Sequence, residues 1–109
     1  MGEYRDQLMI VRRDDQGIAT FVIVINARFF AEDASWVAVC EELGTTAYSG
    51  TIDGAKAELA EALELQLNEV ERLGFAEEFL KSHGVTPIHI QAPAKAANAA
   101  HSWELVGAR

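Results

Sequence analysis

Cysteine occurs once in this sequence, at Cys40, so no internal disulfide can form and a reducing compartment is the natural setting. Long apolar runs are missing as well. The longest, Leu8–Val11 and Phe21–Ile25, fall far short of the roughly 20 residues that span a bilayer. Basic residues are scarce, with 9 Lys and Arg against 17 Asp and Glu, for a net charge of −8. Nucleic-acid binding draws on Lys and Arg that neutralise phosphates, and the adjacent Arg12 and Arg13 make a pair, not a patch. DNA is therefore not an expected partner of this chain alone. The opening Met-Gly-Glu-Tyr-Arg-Asp carries acids and lacks the apolar centre of a signal peptide. These absences lead to the expectation of a cytoplasmic protein, without a membrane, whose acidic surface either attracts basic partners or only keeps the chain in solution.

What is present is ordinary globular composition. Half of the 109 residues are apolar and 24% are charged. That length suits one domain and can bury about two-thirds of the unfolded surface.

Thr20–Phe30 is dense in aromatic and β-branched residues and predicts a strand. Glu32-Asp33-Ala34-Ser35 breaks it, Trp36–Cys40 predicts a second strand, Glu41–Gly44 turns the chain, and Thr45–Ser49 predicts a third. Thr51 stands where a helix N-cap belongs, with Asp53 at the positive end of the helix. Ile52, Ala55, Leu59, Ala62, Leu63, Gln66, Val70 and Leu73 then recur every three or four residues as one face of a long helix, which Gly74 can end. A short helix over Phe75–His83 follows, with Phe75, Phe79 and Leu80 facing inward and Gly84 closing it. Beyond Pro87, Ile88-His-Ile-Gln91 can form a last short strand.

The predicted class is α+β: a three-stranded antiparallel meander packed on a long helix, with a short second helix and a fourth strand, in the order β-β-β-α-α-β. Residues 1–17 form an N-terminal extension able to add a strand, residues 18–91 the domain proper. Residues 92–109 form a C-terminal tail, loosely ordered unless Trp103, Leu105 and Val106 dock.

Strand alternation in the first strand directs Phe21, Ile23, Ile25, Ala27 and Phe29 to the helix. The opposite set, Thr20, Val22, Val24, Asn26, Arg28 and Phe30, is itself half apolar. Another subunit, a partner or the chain's own tails must cover that face. A homo-oligomer, a dimer or higher, is the expected cover because symmetric association is the commonest way a small protein hides such a surface.

The residues offer little for catalysis. His83, His89 and His101 match no metal spacing, Cys40 lies among apolar neighbours as an inert thiol, and no phosphate-loop glycine pattern occurs. The adjacent acids Asp14/Asp15, Glu32/Asp33, Glu41/Glu42 and Glu77/Glu78 read as solvated loop or helix-surface charge. No catalytic residue, metal or cofactor is expected, and the chain reads as a non-enzyme.

Trp36-Val-Ala-Val-Cys-Glu-Glu-Leu-Gly44, the Gly50-Thr51 helix start, Ala55 and the Leu59–Leu67 helix resemble the HicB-like antitoxin family over about residues 20–90. Glu41 stands where that family's pattern usually has proline, and Gly54 where it has an acid. The resemblance implies a partial ribonuclease H fold and an intracellular antitoxin that neutralises a small basic ribonuclease toxin of the HicA-like kind. It also implies a DNA-binding segment in many members, for which residues 92–109 are too short and too poor in Lys and Arg. Ribonuclease H chemistry needs carboxylates on the central strand to hold metal, and Phe21–Ile25 supplies none. Within this reading Glu32, Asp33, Glu41 and Glu42 are the acids expected to meet the toxin, with Trp36 and Leu43 as apolar anchors. The rival reading is a stand-alone RNA-binding or regulatory domain that stacks bases on Phe30, Trp36 and Tyr48, against which the acidic balance argues.

Overall fold

The structure, a computed structural model, describes residues 2–90 and 101–108. It is an α+β fold in which an antiparallel sheet curls around a long helix. The elements are β1 (Glu3–Asp14), β2 (Ala19–Glu32), β3 (Ser35–Cys40), β4 (Thr46–Ser49), α1 (Ile52–Arg72), α2 (Ala76–Ser82), β5 (Ile88–His89) and β6 (His101–Ala108). The strands lie in the order β4-β3-β2-β1-β6, with β5 pairing separately to the start of β2.

The expected three-strand meander is β2-β3-β4, but the sheet is larger at both ends of the chain. Residues 3–14 form the added strand that the sequence allowed. β1 pairs with β2 from Glu3–Phe30 to Arg13–Ala19 and lies in the interior of the sheet. Leu8 and Ile10 are buried opposite Ile25 and Ile23. In the C-terminal tail two of the three apolar residues expected to dock if the tail is ordered, Trp103 and Leu105, do so. His101–Ala108 is a strand antiparallel to β1, Trp103 is buried and Leu105 packs against the core, while Val106 stays exposed. Residues 92–100 of that tail, and Gln91 of the expected last strand, lie outside the described residues.

The alternation read from β2 holds in space. Ile23, Ile25, Ala27 and Phe29 are fully enclosed on the helix side, whereas Val24 on the other side is 37% exposed. β2 ends in a two-residue turn in which Asp33 takes a positive φ of 55°, a conformation that short polar side chains tolerate best. The β1–β2 turn depends on Asp14. This residue is buried, not solvated as expected, because its Oδ1 accepts hydrogen bonds from the Gln16 and Ile18 N–H groups, each at 2.9 Å.

Helix α1 begins where Thr51 caps the Gly54 N–H at 3.0 Å. A Cβ at Gly54 would lie 2.1 Å from the Ser49 hydroxyl, so the small residue lets the first turn sit against β4. Ala55, Leu59, Leu63, Leu67 and Val70 form the buried stripe; Leu67 replaces the expected Gln66, and Leu73 is exposed past the helix end. In α2, Ala76 and Leu80 are buried and Phe79 half-buried, while the expected Phe75 is 40% exposed just before the helix.

The two flanks of α1 clasp the sheet through polar groups. On one side Gln66 accepts from the Thr45 hydroxyl. On the other, Asn68 Nδ2 donates to the Trp103 carbonyl at 3.2 Å and its Oδ1 accepts from the Trp103 N–H at 2.7 Å. Glu64 accepts from the Leu105 N–H at 2.8 Å. Glu71 accepts from Trp103 Nε1 at 2.9 Å and, as a bidentate partner, from Arg12 at 2.8 Å. The outer edge of β6 is thus hydrogen-bonded by helix side chains where a further strand would otherwise pair.

Trp103→Ala should lower unfolding free energy by about 3–5 kcal/mol, as expected for an excavated aromatic core position. Asn68→Ala should cost about 1–3 kcal/mol through orphaned backbone groups. Because both act on β6, the double variant should lose less than the sum in urea melts.

Candidate protein-docking surfaces

The six residues expected to contact a partner do not converge. Glu32 and Asp33 lie at one end of β3 and Glu41, Glu42 and Leu43 at the other, separated by a strand of about 20 Å. Trp36 is half-buried on the helix side, 5.9 Å from the Tyr4 ring.

The second group is occupied within the chain. Glu41 accepts from Arg5 at 2.6 Å and lies 3.8 Å from Arg28. Glu42 receives the Asn26 backbone N–H at 2.8 Å and its Nδ2 at 2.7 Å. It thereby finishes the β2 edge between its partners β3 and β5. Leu43 is buried in the core. Sequence separation alone shows none of this, because the partners are about 15–40 residues away along the chain.

Two broader surfaces emerge instead. The outer stripe of α1 runs Glu58, Glu61, Leu65 and Glu69, at the three- and four-residue spacing of one helix face. Glu69 is bonded to Arg72, which holds its carboxyl below the usual range and raises the guanidinium in turn. Glu58 and Glu61 are exposed and make no ion pair among the described residues, and Leu65 between them and Glu69 is 66% exposed. Sequence periodicity places these residues off the buried stripe, but only the fold shows that an exposed leucine sits among them.

The other surface is the open face of the sheet. Register places Val11 beside Val22 and Ile88, Met9 beside Val24, Arg5 beside Arg28, and Glu3 beside Phe30, Val37 and Tyr48. Arg13 meets Glu104 at 3.0 Å and Arg28 meets Glu3 at 3.4 Å. Phe30 and Tyr48 share this face with Val37 between them, while Trp36 alternates to the opposite side, so the three aromatics form no common stacking platform.

Reactive groups are few. Cys40 is fully buried, and desolvation, reinforced by the charges of Glu42 and Glu41 against the opposing backbone hydrogen bonds, pushes its thiol upward. Among the described residues no three His, Cys, Asp or Glu side chains are placed to hold a metal ion. No helix of the described residues is long and apolar enough to cross a membrane. A cavity of about 350 Å³ lies between β2 and α2, lined by Phe21, Val85 and Pro87, with Glu77, Lys81 and Thr86 as its polar groups. No protein-family model, curated protein or solved structure matches this chain.

The raised thiol carries a pH signature. With the folded value above the unfolded one, Cys40 stabilises the fold fully below the free thiol range. The contribution is lost as pH rises toward the folded value, because the unfolded chain releases its proton first. The urea midpoint should therefore fall more steeply between pH 8 and about 10 in the parent than in Cys40→Ala. The native thiol should also resist a thiol-reactive dye until denaturant is added.

Proposed function

We propose that this chain is a non-catalytic protein-binding module that takes a basic partner protein on the outer face of α1. The observation that carries this reading is the exposed Leu65 set in an acidic helix stripe, with Glu58 and Glu61 making no ion pair among the described residues. An apolar side chain in that setting supplies contact area, and the surrounding carboxylates attract Lys and Arg and speed encounter. The chain's net charge of −8 extends the attraction beyond contact distance.

The partner class follows from the HicB-like resemblance: a small basic ribonuclease toxin, which the chain would neutralise by covering its cationic surface. The order β2-β3-β4-α1 is consistent with the strands and long helix that the resemblance implies, and β1 and β6 enlarge the sheet beyond it. Binding on the helix side moves the contact away from Glu41, Glu42 and Leu43, whose side chains serve the fold. Glu32 and Asp33 remain as an exposed acidic turn at the far end of the hairpin.

The test first asks whether a short Lys/Arg-rich protein is encoded beside this chain, whose absence would count against the reading. It then measures growth rescue on co-expression with that protein and calorimetry of the purified pair. Glu58→Lys with Glu61→Lys should slow association about tenfold or more, and affinity should fall as salt rises through about 0.5 M. Rescue untouched by the charge reversal and by salt would refute an electrostatic helix-face contact.

A further inference from the structure

The open face of the sheet has a different character from the helix side. Among the described residues its arginines, Arg5, Arg13 and Arg28, are met by Glu41, Glu104 and Glu3, leaving Glu42 at the border hydrogen-bonded to Asn26. The face is therefore close to neutral in a chain of net charge −8, and the surplus acids lie on the helices and turns. Between the two rims of ion pairs Val22, Val24, Met9 and Ile88 form a continuous apolar patch over buried Val11, with Val24 37% and Ile88 57% exposed.

We infer that this face binds a second copy of the same chain. Charge selects the occupant. A basic partner gains nothing from a balanced surface, while two acidic chains repel each other everywhere except through a face of this kind. A two-fold arrangement lays the apolar patch on itself, and each rim can offer both an arginine and a glutamate to its counterpart, so the surface is self-complementary in sign. The surplus acids of both copies then point outward, leaving α1 free.

Four strands at about 4.8 Å spacing and eight residues at about 3.3 Å give a contact plane on the order of 500 Å² per copy. That is below the roughly 800 Å² per partner of a standard interface. The expected assembly is a reversible dimer that dissociates on dilution.

Sedimentation equilibrium of the full chain from about 5 to 500 µM tests this, with the mass expected to rise from 11.9 kDa toward twice that value. Added salt should preserve or strengthen the dimer by screening its outward acids, the reverse of the effect on a basic partner. Val24→Glu should weaken self-association at least tenfold, and Leu65→Asp on the helix side should leave it unchanged. Ile88→Asp, at a more exposed site, gives a second reading if the strand substitution disturbs folding by tryptophan fluorescence. A monomer at every concentration overturns the inference. So does a dimer that survives both sheet substitutions or is lost in Leu65→Asp, and so does loss of basic-partner binding in Val24→Glu without any self-association in the parent.

Discussion

Glu64, Asn68 and Glu71 lie four and three residues apart on one flank of α1, and all three bond to β6. A sheet edge normally presents unpaired N–H and C=O groups that another strand can claim. Here a helix that is already packed over the sheet supplies those partners from its own side chains, at the spacing its periodicity dictates. The sheet curls far enough to bring β6 under α1, and Trp103 is drawn into the core at the same place. Arg12 belongs to the same junction. Its side chain is enclosed with that of Glu71, each only 14% exposed, and its guanidinium also lies over the Phe21 ring. Strand, helix and edge strand are therefore joined where a partly buried ion pair, an indole N–H and two backbone groups meet.

That junction marks the boundary of what the sequence discloses. β2, β3, β4 and α1 are legible because each carries a local signal: alternation in Thr20–Phe30, a capping threonine at 51, an apolar stripe through Leu59 and Leu63. The role of residues 3–14 is less legible, since Arg12 reads as surface charge until Glu71, which lies 59 residues away, is known to receive it. Asp14 hides a turn in the same way, because a carboxylate that accepts two backbone N–H groups is indistinguishable in sequence from one in water. β6 is carried by Trp103 and Leu105 within an alanine-rich stretch, and what fixes it is Asn68, an ordinary polar residue of the helix. Glu41 and Glu42 mislead in the opposite direction. Adjacent acids in a turn suggest a free charged tip, but long-range register sets them against Arg5, Arg28 and Asn26. Leu65 lies off the buried stripe on the helical wheel, and only the fold shows it 66% exposed beside Glu58 and Glu61, which make no ion pair among the described residues.

The division of charge between the two faces is what separates the two proposed contacts. On the helix side Glu58 and Glu61 make no ion pair among the described residues, so their negative potential reaches into solvent. On the sheet side equal numbers of opposite charges lie in close pairs, so the field decays within a few ångströms and shape takes over. Surface ion pairs of this exposed kind add little to stability on their own, but they neutralise a face that would otherwise repel its like. The two proposed contacts, lying on opposite faces, would not compete for the same ground.

The latch on β6 also bears on the order in which the chain matures. Arg13 and Glu104, joined across the β1–β6 seam, are separated by 91 residues, whereas the contacts of β2, β3, β4 and α1 are mostly local. Closing so long a loop is entropically slow, and such pairings form late. During synthesis the meander and helix can therefore assemble while β6 is still inside the ribosome, leaving one side of β1 bare until Trp103 arrives. A chain lacking Trp103 would carry an unfinished sheet with one side of β1 open to proteases, so β6 guards the strand beside it.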